Sequence, residues 1–421
     1  MVGYMTDSPR NIILLSADAL RADHLSCYGY NRETSPRLDA FAEDCIRFEN
    51  AYSASSHTRE AVPALLTGEY PDVAVDSRYN LASETIASTL SGEGYATAGF
   101  HSNPFVSRAY GFDQGFDHFD DDLRLGQNKL IALAQRAFDK LRNRHYARAP
   151  EINERSLDWV ESLDDDQPFF LWNHYMDTHG PYEPPNEYAT LWAERGLSGR
   201  DAQSLYQRAI DDPKSITEDE RQLLVDLYDA EIRYNDEYLG EFFEALRERG
   251  LLEESLVFVT ADHGDAFGEH GYYEHPRYLH EEITKVPLLV RAPDGNSGVV
   301  ATSASTLDIV STIRSFCGAN DVSLLNPFED DRRVFSQARG EDDNSHLRRY
   351  AVRSAEGACF CEWNKTTGEV KFTETTVRSL RPVLDAHVDE RVQQAQKGDT
   401  ETNTDVDEEI ERRLSALGYK E

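Results

Sequence analysis

Two apolar runs, Asn11 to Ala17 and Ser255 to Ala261, each stop at a carboxylate: Asp18 after the first, Asp262 with His263 after the second. Uninterrupted apolar runs of this length read as strands buried on both faces, which belong to sheets covered by helices on either side. From Asn11 to Pro293 such runs alternate with longer amphipathic stretches, the strands being Ile12 to Ala17, Tyr95 to Phe100, Phe169 to His174, Leu256 to Ala261 and Pro287 to Arg291. The pattern predicts an α/β fold with a mostly parallel central sheet and helices on both faces, followed by a small C-terminal antiparallel α+β appendage. A parallel sheet delivers the carboxyl ends of its strands to one edge, so Asp18, Asp262 and His263 can converge there on one cation.

The intervening stretches carry helix signals. Thr217 to Arg249 has apolar residues at helical spacing, opens with Thr217 and Glu220 as a capping box, and stops at Gly250. Tyr182 to Asp212 is polar, starts among prolines and reads as an irregular excursion over the substrate edge. After Pro293 the pattern gives a helix near Ser305 to Phe316 and strands around Arg349 to Arg353, Ala358 to Trp363 and Val370 to Thr375. Gln393 to Asp407 reads as a polar linker and Glu408 to Leu417 as a last amphipathic helix. The organisation expected is a catalytic domain over residues 1–320, a small subdomain over 321–392, and an acidic linker with terminal helix over 393–421.

With 77 acidic against 43 basic residues, a formal charge of -34, the chain has no basic face for a phosphate backbone, which argues against nucleic acid as a partner and disfavours anionic membranes. Arg supplies most of the positive charge, a pattern that suits concentrated salt, where repulsion among carboxylates is screened to a few ångströms, so a halophilic source is expected. Five scattered Cys make no disulfide framework. The first ten residues lack a basic and apolar leader, and no apolar run is long enough to span a bilayer. A cytoplasmic protein without membrane insertion is the simplest expectation.

Between the two carboxylates lies Ser53 to Gly68, a hydroxyl cluster entering a helix. The positive end of a helix field favours a developing oxyanion, and a hydroxyl that also touches a cation loses its proton more easily, although Ser and Thr at such places also serve simply as caps.

Asn11 to Gly29, Thr34 to Asp39 and Ala64 to Gly68 resemble the opening of the sulfatase family within the alkaline-phosphatase superfamily. The resemblance continues in order through Phe112 to Asp117, Asp177 to Tyr182, Asp262 to Gly264, Gly268 to Gly271, Val286 to Leu288 and Leu414 to Tyr419. It implies that Asp18 is the first metal carboxylate, that Asp262 and His263 form the second pair, and that Thr58 is both nucleophile and metal ligand. Asn103 resembles the amide that donates to an oxygen of the bound group, and His179 and His275 the histidines that contact substrate or protonate the leaving oxygen, work suited to an imidazole titrating near neutrality. Arg59, with Arg21, is expected to supply local positive charge for an anionic substrate. His24, His270 and His280 are read as structural. One divalent cation is expected, Mn, Zn or Mg before Ca, because His263 adds nitrogen to an oxygen set.

Four departures refine this expectation. Glu60 and Val62 stand where a formylglycine motif would have Pro and Arg, Ala19 replaces the second Asp of an Asp-Asp pair, His263 replaces Asn, and Phe100 to Asn103 replaces the segment that grips sulfate. They tilt the resemblance toward relatives that use an unmodified Thr on phosphorus. The function expected is a sulfatase-like ester hydrolase or transferase acting on sulfate or phosphate (di)esters, phosphorus favoured, with small-molecule, saccharide or lipid-headgroup substrates. The rivals are a true sulfatase working without formylglycine and a metal-binding protein that has lost catalysis.

Overall fold

The computed structural model describes residues 11–122, 146–193, 197–326, 328 and 332–395. The expected terminal helix, the Leu414 to Tyr419 segment and most of the expected linker lie outside them. Eight strands form the central sheet: β1 (Asn11–Ala17), β2 (Ile46–Phe48), β3 (Ala96–Phe100), β4 (His118–Asp120), β5 (Phe169–Tyr175), β6 (Ser255–Ala261), β7 (Leu288–Arg291) and β8 (Gly298–Val300). Their order is β8-β2-β7-β6-β1-β5-β3-β4. Pairing is parallel throughout except where β7 runs antiparallel to both β6 and β2, so a single strand opposes the rest.

Alternation along β1 explains why the sheet must be covered twice. Ile13, Leu15 and Ala17 join one buried cluster, and Ile12 and Leu14 join the other. The first cluster takes in the long helix Glu218–Glu248, capped by Thr217 and Glu220 as the sequence predicts, and the second takes in Thr58–Thr67 and Asp308–Phe316. We label α1 (Thr58–Thr67), α2 (Ala149–Glu161), α3 (Gly199–Asp211), α4 (Glu218–Glu248), α5 (Asp308–Phe316) and α6 (Arg381–Ala395).

Three local expectations are corrected. The Tyr182 to Asp212 excursion is not irregular throughout: α3 forms within it, capped by Ser198 and burying Ala202, Leu205, Tyr206 and Ala209 at helical spacing. The appendage has a fourth strand, β9 (Val334–Arg339), ahead of β10 (Leu347–Ser354), β11 (Gly357–Asn364) and β12 (Val370–Thr375), all antiparallel. The expected linker begins inside α6, which buries Leu384 and Val388 against this second sheet.

The second sheet is tied to the central one through the segment that leads into α1. Gln337 N donates to Ala54 O (2.9 Å) and Ser336 Oγ to Ser53 O (2.6 Å), directly before α1. Glu60, in the first turn of α1 and 1% exposed, accepts from Arg277 Nη1 (2.9 Å) and lies 3.2 Å from Arg339 Nε. The residue that breaks the formylglycine motif thus anchors the helix. No helix among the described residues is long and apolar enough to cross a membrane.

Candidate active site at the ends of three strands

Register brings the site together. Ala17 pairs with Tyr175 on one side and with Ala261 on the other, so β1, β5 and β6 end in one row. Asp18 and Asp262 follow directly, and His174 lies one residue before the end of β5. The backbone turns sharply at Ala19, whose φ of 59° is left-handed, and its N–H reaches Asp262 Oδ1 (3.2 Å). A non-glycine residue held there carries strain of about 1 kcal/mol or more, sustained by the surrounding packing. His263 N donates to the same Oδ1 (2.8 Å).

α1 brings in the alcohol. His57 is its N-cap, its Nδ1 accepting from Arg59 N (3.2 Å), and Thr58 is the first helical residue. Thr58 Oγ1 lies 3.4 Å from Asp18 Oδ2 and 3.1 Å from His263 Nε2. Asn103, after β3, donates from Nδ2 to Asp18 Oδ2 (2.6 Å). Of the eight residues singled out from the sequence, Asp18, Thr58, Asn103, Asp262 and His263 therefore form one contact group. His275 packs on the rim, its ring centroid 4.3 Å from that of His263, and His179 packs 5.2 Å from His275. Arg59 stands outside the group, its guanidinium over the rings of Phe105 (4.1 Å) and Tyr79 (5.2 Å).

His174 was missed by the sequence reading. Its Nδ1 bonds Ser16 Oγ (3.0 Å) and its Nε2 lies 3.4 Å from Asp18 Oδ2. The available signal was a polar residue at the carboxyl end of an apolar strand, the position that also marks Asp18 and Asp262. Asp18, His174 and Asp262 offer ligand atoms within 4.8 Å of one another, all buried. Arg21 corrects the sequence reading in the other direction: Asp23 (2.8 Å), Glu269 (2.5 Å) and the Asp265 carbonyl (2.9 Å) occupy it, so it is no free charge for substrate. His24 is held by Asp229 (2.7 Å), while His270 and His280 gather at Glu282 as a separate group.

The electrostatics are those of a site built for outside charge. Asp18 Oδ1, Asp262 Oδ2 and His174 Nε2 are buried without a hydrogen-bond partner among the described residues. His263 Nδ1 faces the Gly264 carbonyl (3.0 Å), an acceptor only, so Nδ1 carries a proton. Its Nε2 lies 3.6 Å from Asp18 Oδ1 and 3.5 Å from Asp262 Oδ2, so an imidazole nitrogen and two carboxylate oxygens face one another within reach of a shared cation. Burial opposes charge on Asp18, but the neighbouring imidazoles, His179 foremost, outweigh it and hold that carboxyl well below its usual range. Asp262 is pushed up, first by burial and then by Asp18. The donor set of carboxylate oxygens with imidazole nitrogen fits a divalent cation such as Zn, Mn or Mg.

His275 departs from the near-neutral titration expected of it. Burial and then His263 push it down to about 4, against the pull of Asp265, whose Oδ1 lies 2.7 Å from His275 Nδ1. His57 is pushed well below its ordinary value, by burial and then by Arg277 and His275.

The mostly parallel sheet with helices on both faces is the fold of the solved sulfatases and phosphonate monoester hydrolases. The Sulfatase family model matches residues 10–319, so the chain belongs to the sulfatase family and is an ester hydrolase of that family. It is 24% identical over 351 residues to the uncharacterized sulfatase YidJ of Escherichia coli, covering 75% of this chain and 69% of that protein. To the arylsulfatase of Clostridium perfringens it is 25% identical over 403 residues, covering 80% and 83%. Among solved structures, the phosphonate monoester hydrolase of Silicibacter pomeroyi superposes with a TM-score of 0.67 at 18% identity, covering 92% of this chain and 95% of that one. A structure solved with its substrate D-glucosamine-2-N,6-O-disulfate gives the same TM-score over 93% and 99%.

Proposed function

We propose that this chain is a metal-dependent, cytoplasmic hydrolase or transferase that cleaves phosphate or phosphonate (di)esters of small molecules, saccharides or lipid headgroups through a covalent ester on Thr58. The observation that carries the reading is the Thr58 hydroxyl set between Asp18 Oδ2 and His263 Nε2, beside buried acceptors that lack partners.

Asp18, Asp262, His263 and His174 would hold the cation, with Thr58 Oγ1 at its edge. Bound there, a divalent ion supplies positive charge to the transferred group and acidifies the alcohol. Thr58 directs its hydrogen toward Asp18 Oδ2 and, at the first turn of α1, attacks from the positive end of the helix field. Its Oγ bond to phosphorus forms as the bond to the leaving oxygen breaks. Asn103 Nδ2 supports a non-bridging oxygen, and His179 protonates the departing oxygen. His275, with its Nδ1 proton held on Asp265, presents Nε2 as an acceptor for the proton of the water, or acceptor alcohol, that clears the Thr58 ester.

Phosphorus is favoured because no formylglycine motif surrounds Thr58 and Glu60 is committed to Arg277 and Arg339. Sulfate esters are the second reading, supported by the names of the relatives. Mass analysis of the Thr58 peptide after brief exposure of the Mn-loaded protein to aryl phosphate, bis-aryl phosphate, aryl phosphonate and aryl sulfate tests both. A phosphoryl adduct on Thr58 is expected and a sulfuryl adduct selects the second reading. Turnover with Thr58 unmodified and dispensable overturns the nucleophile, and bound metal with no turnover of any ester makes the chain a binder.

A further inference from the structure

The protein carries 77 acidic residues, yet the guanidinium that follows Thr58 forms no ion pair among the described residues. Arg21, Arg148, Arg277, Arg339 and Arg349 each have a carboxylate within salt-bridge distance. Arg59 has none within 4 Å among the described residues, and its side chain accepts only aromatic faces, Phe105 and Tyr79. Cation–π contact holds a guanidinium in place without neutralising it.

That cradle is built at a cost. Tyr79 sits at φ 64°, an outlier for a bulky side chain, in a turn closed by Asp76, which accepts from Arg78 N (2.8 Å) and Asn80 N (2.9 Å). The strain places its ring against three guanidinium groups, Arg59, Arg277 (5.6 Å) and Arg339 (5.1 Å). Glu60 pairs with the second and third, whereas Arg59 feels Glu341 only from beyond ion-pair distance. Burial lowers its proton affinity, with Arg277 adding to the fall against the pull of Tyr110 and Tyr79.

Arg59 follows Thr58 directly but forms no hydrogen bond or ion pair with Asp18, His174, Asp262 or His263. Phe105, two residues after Asn103, covers it, and His57 packs on the other side of that ring (5.4 Å). Arg59 thus stands one ring removed from His57, whose own ring lies 5.3 Å from that of His275 on the rim of the strand-end group.

We infer that Arg59 forms a second anion subsite, and that the preferred substrate carries a further carboxylate, sulfate or phosphate on its leaving portion. The placement on the leaving portion rests on Thr58 being the attacking alcohol; the subsite itself rests on the cradle. Calorimetric titration of the metal-loaded protein with phenylphosphonate, 3-phosphonobenzoate and 4-phosphonobenzoate tests it, because the rigid ring keeps the carboxylate off the cation that takes the phosphonate. One carboxylated isomer should bind about tenfold or more tightly than phenylphosphonate, the ratio expected of a charge-assisted pair. Arg59→Gln should bring that ratio to about one, and Arg59→Lys should retain part of it. No preference in the native protein, or a preference that survives Arg59→Gln, overturns the subsite. Thermal melts of both variants establish that they are folded, and Arg59→Lys carries the test if Arg59→Gln is not. Turnover does not enter the readout: a chain that cleaves nothing yet shows the Arg59-dependent preference would overturn the hydrolytic reading alone.

Discussion

Two buried acidic groups lie in the same α/β body and are treated in opposite ways. Glu60 meets Arg277 and Arg339, and Ser55 Oγ also approaches it (3.3 Å), so its charge is answered inside the fold. Asp18 and Asp262 are as deeply buried but are met by imidazoles, one amide, one alcohol and backbone N–H groups, and each keeps an oxygen without a partner. The first arrangement closes on itself and holds α1 in place; the second stays incomplete until something charged arrives. In a protein with acid groups everywhere, function shows where charge is left unanswered.

Four measurements would break or sharpen that contrast. The largest effect is expected from Thr58→Ala, which should lower kcat by a thousandfold or more, the loss of about 4 kcal/mol of barrier reduction typical of a missing nucleophile, with metal content unchanged by elemental analysis. Arg277→Met should destabilise by about 3 to 5 kcal/mol in urea unfolding, because it leaves Glu60 buried beside a single partner. Chelation should lower stability by about 3 kcal/mol when the metal had been present at a hundredfold over its Kd. Asp262→Asn and His174→Ala should each shrink that chelator effect, whereas Arg277→Met should leave it intact.

The smallest effect concerns a third buried acid. Asp177 is pushed up to about 7 by burial, with Glu231 adding to the rise against the pull of Arg148 (3.5 Å). Its folded pKa exceeds its unfolded one, so the native state holds the extra proton between about pH 4 and pH 7, and stability falls as pH rises through that window. Asp177→Asn, which mimics the protonated form and keeps an acceptor for Ala149 N (3.0 Å), should remove that slope and gain about 2 kcal/mol at pH 8 in paired urea titrations. A variant whose slope matches the native one would show that Arg148 already keeps Asp177 ionised.

Much of the fold was legible because buried strands are written as unbroken apolar runs: β1, β3, β5 and β6 fall within a residue or so of their expected bounds. The reversed direction of β7 was not legible, since an apolar run has no polarity of its own. α3 was hidden because its apolar face is four residues in a polar stretch, and α6 because much of its surface is solvated. Asp18, Asp262 and Thr58 could be placed from strand ends and family order. His174 could not, because within a strand one buried histidine reads like any satisfied core residue until Asp18 is seen beside it. Arg21 and Arg59 were indistinguishable in sequence; the positions of Asp23 and Glu269 reveal that Arg21 is committed, whereas Arg59 forms no ion pair among the described residues.

The tether from Glu60 to Arg277 and Arg339 has a temporal consequence. During synthesis Thr58 is made early, but Arg277 and Arg339, the clasps that fix its helix through Glu60, emerge far later in the chain. A ribosome-bound intermediate therefore carries Thr58 with its mounting unfinished until Arg277 and Arg339 have emerged.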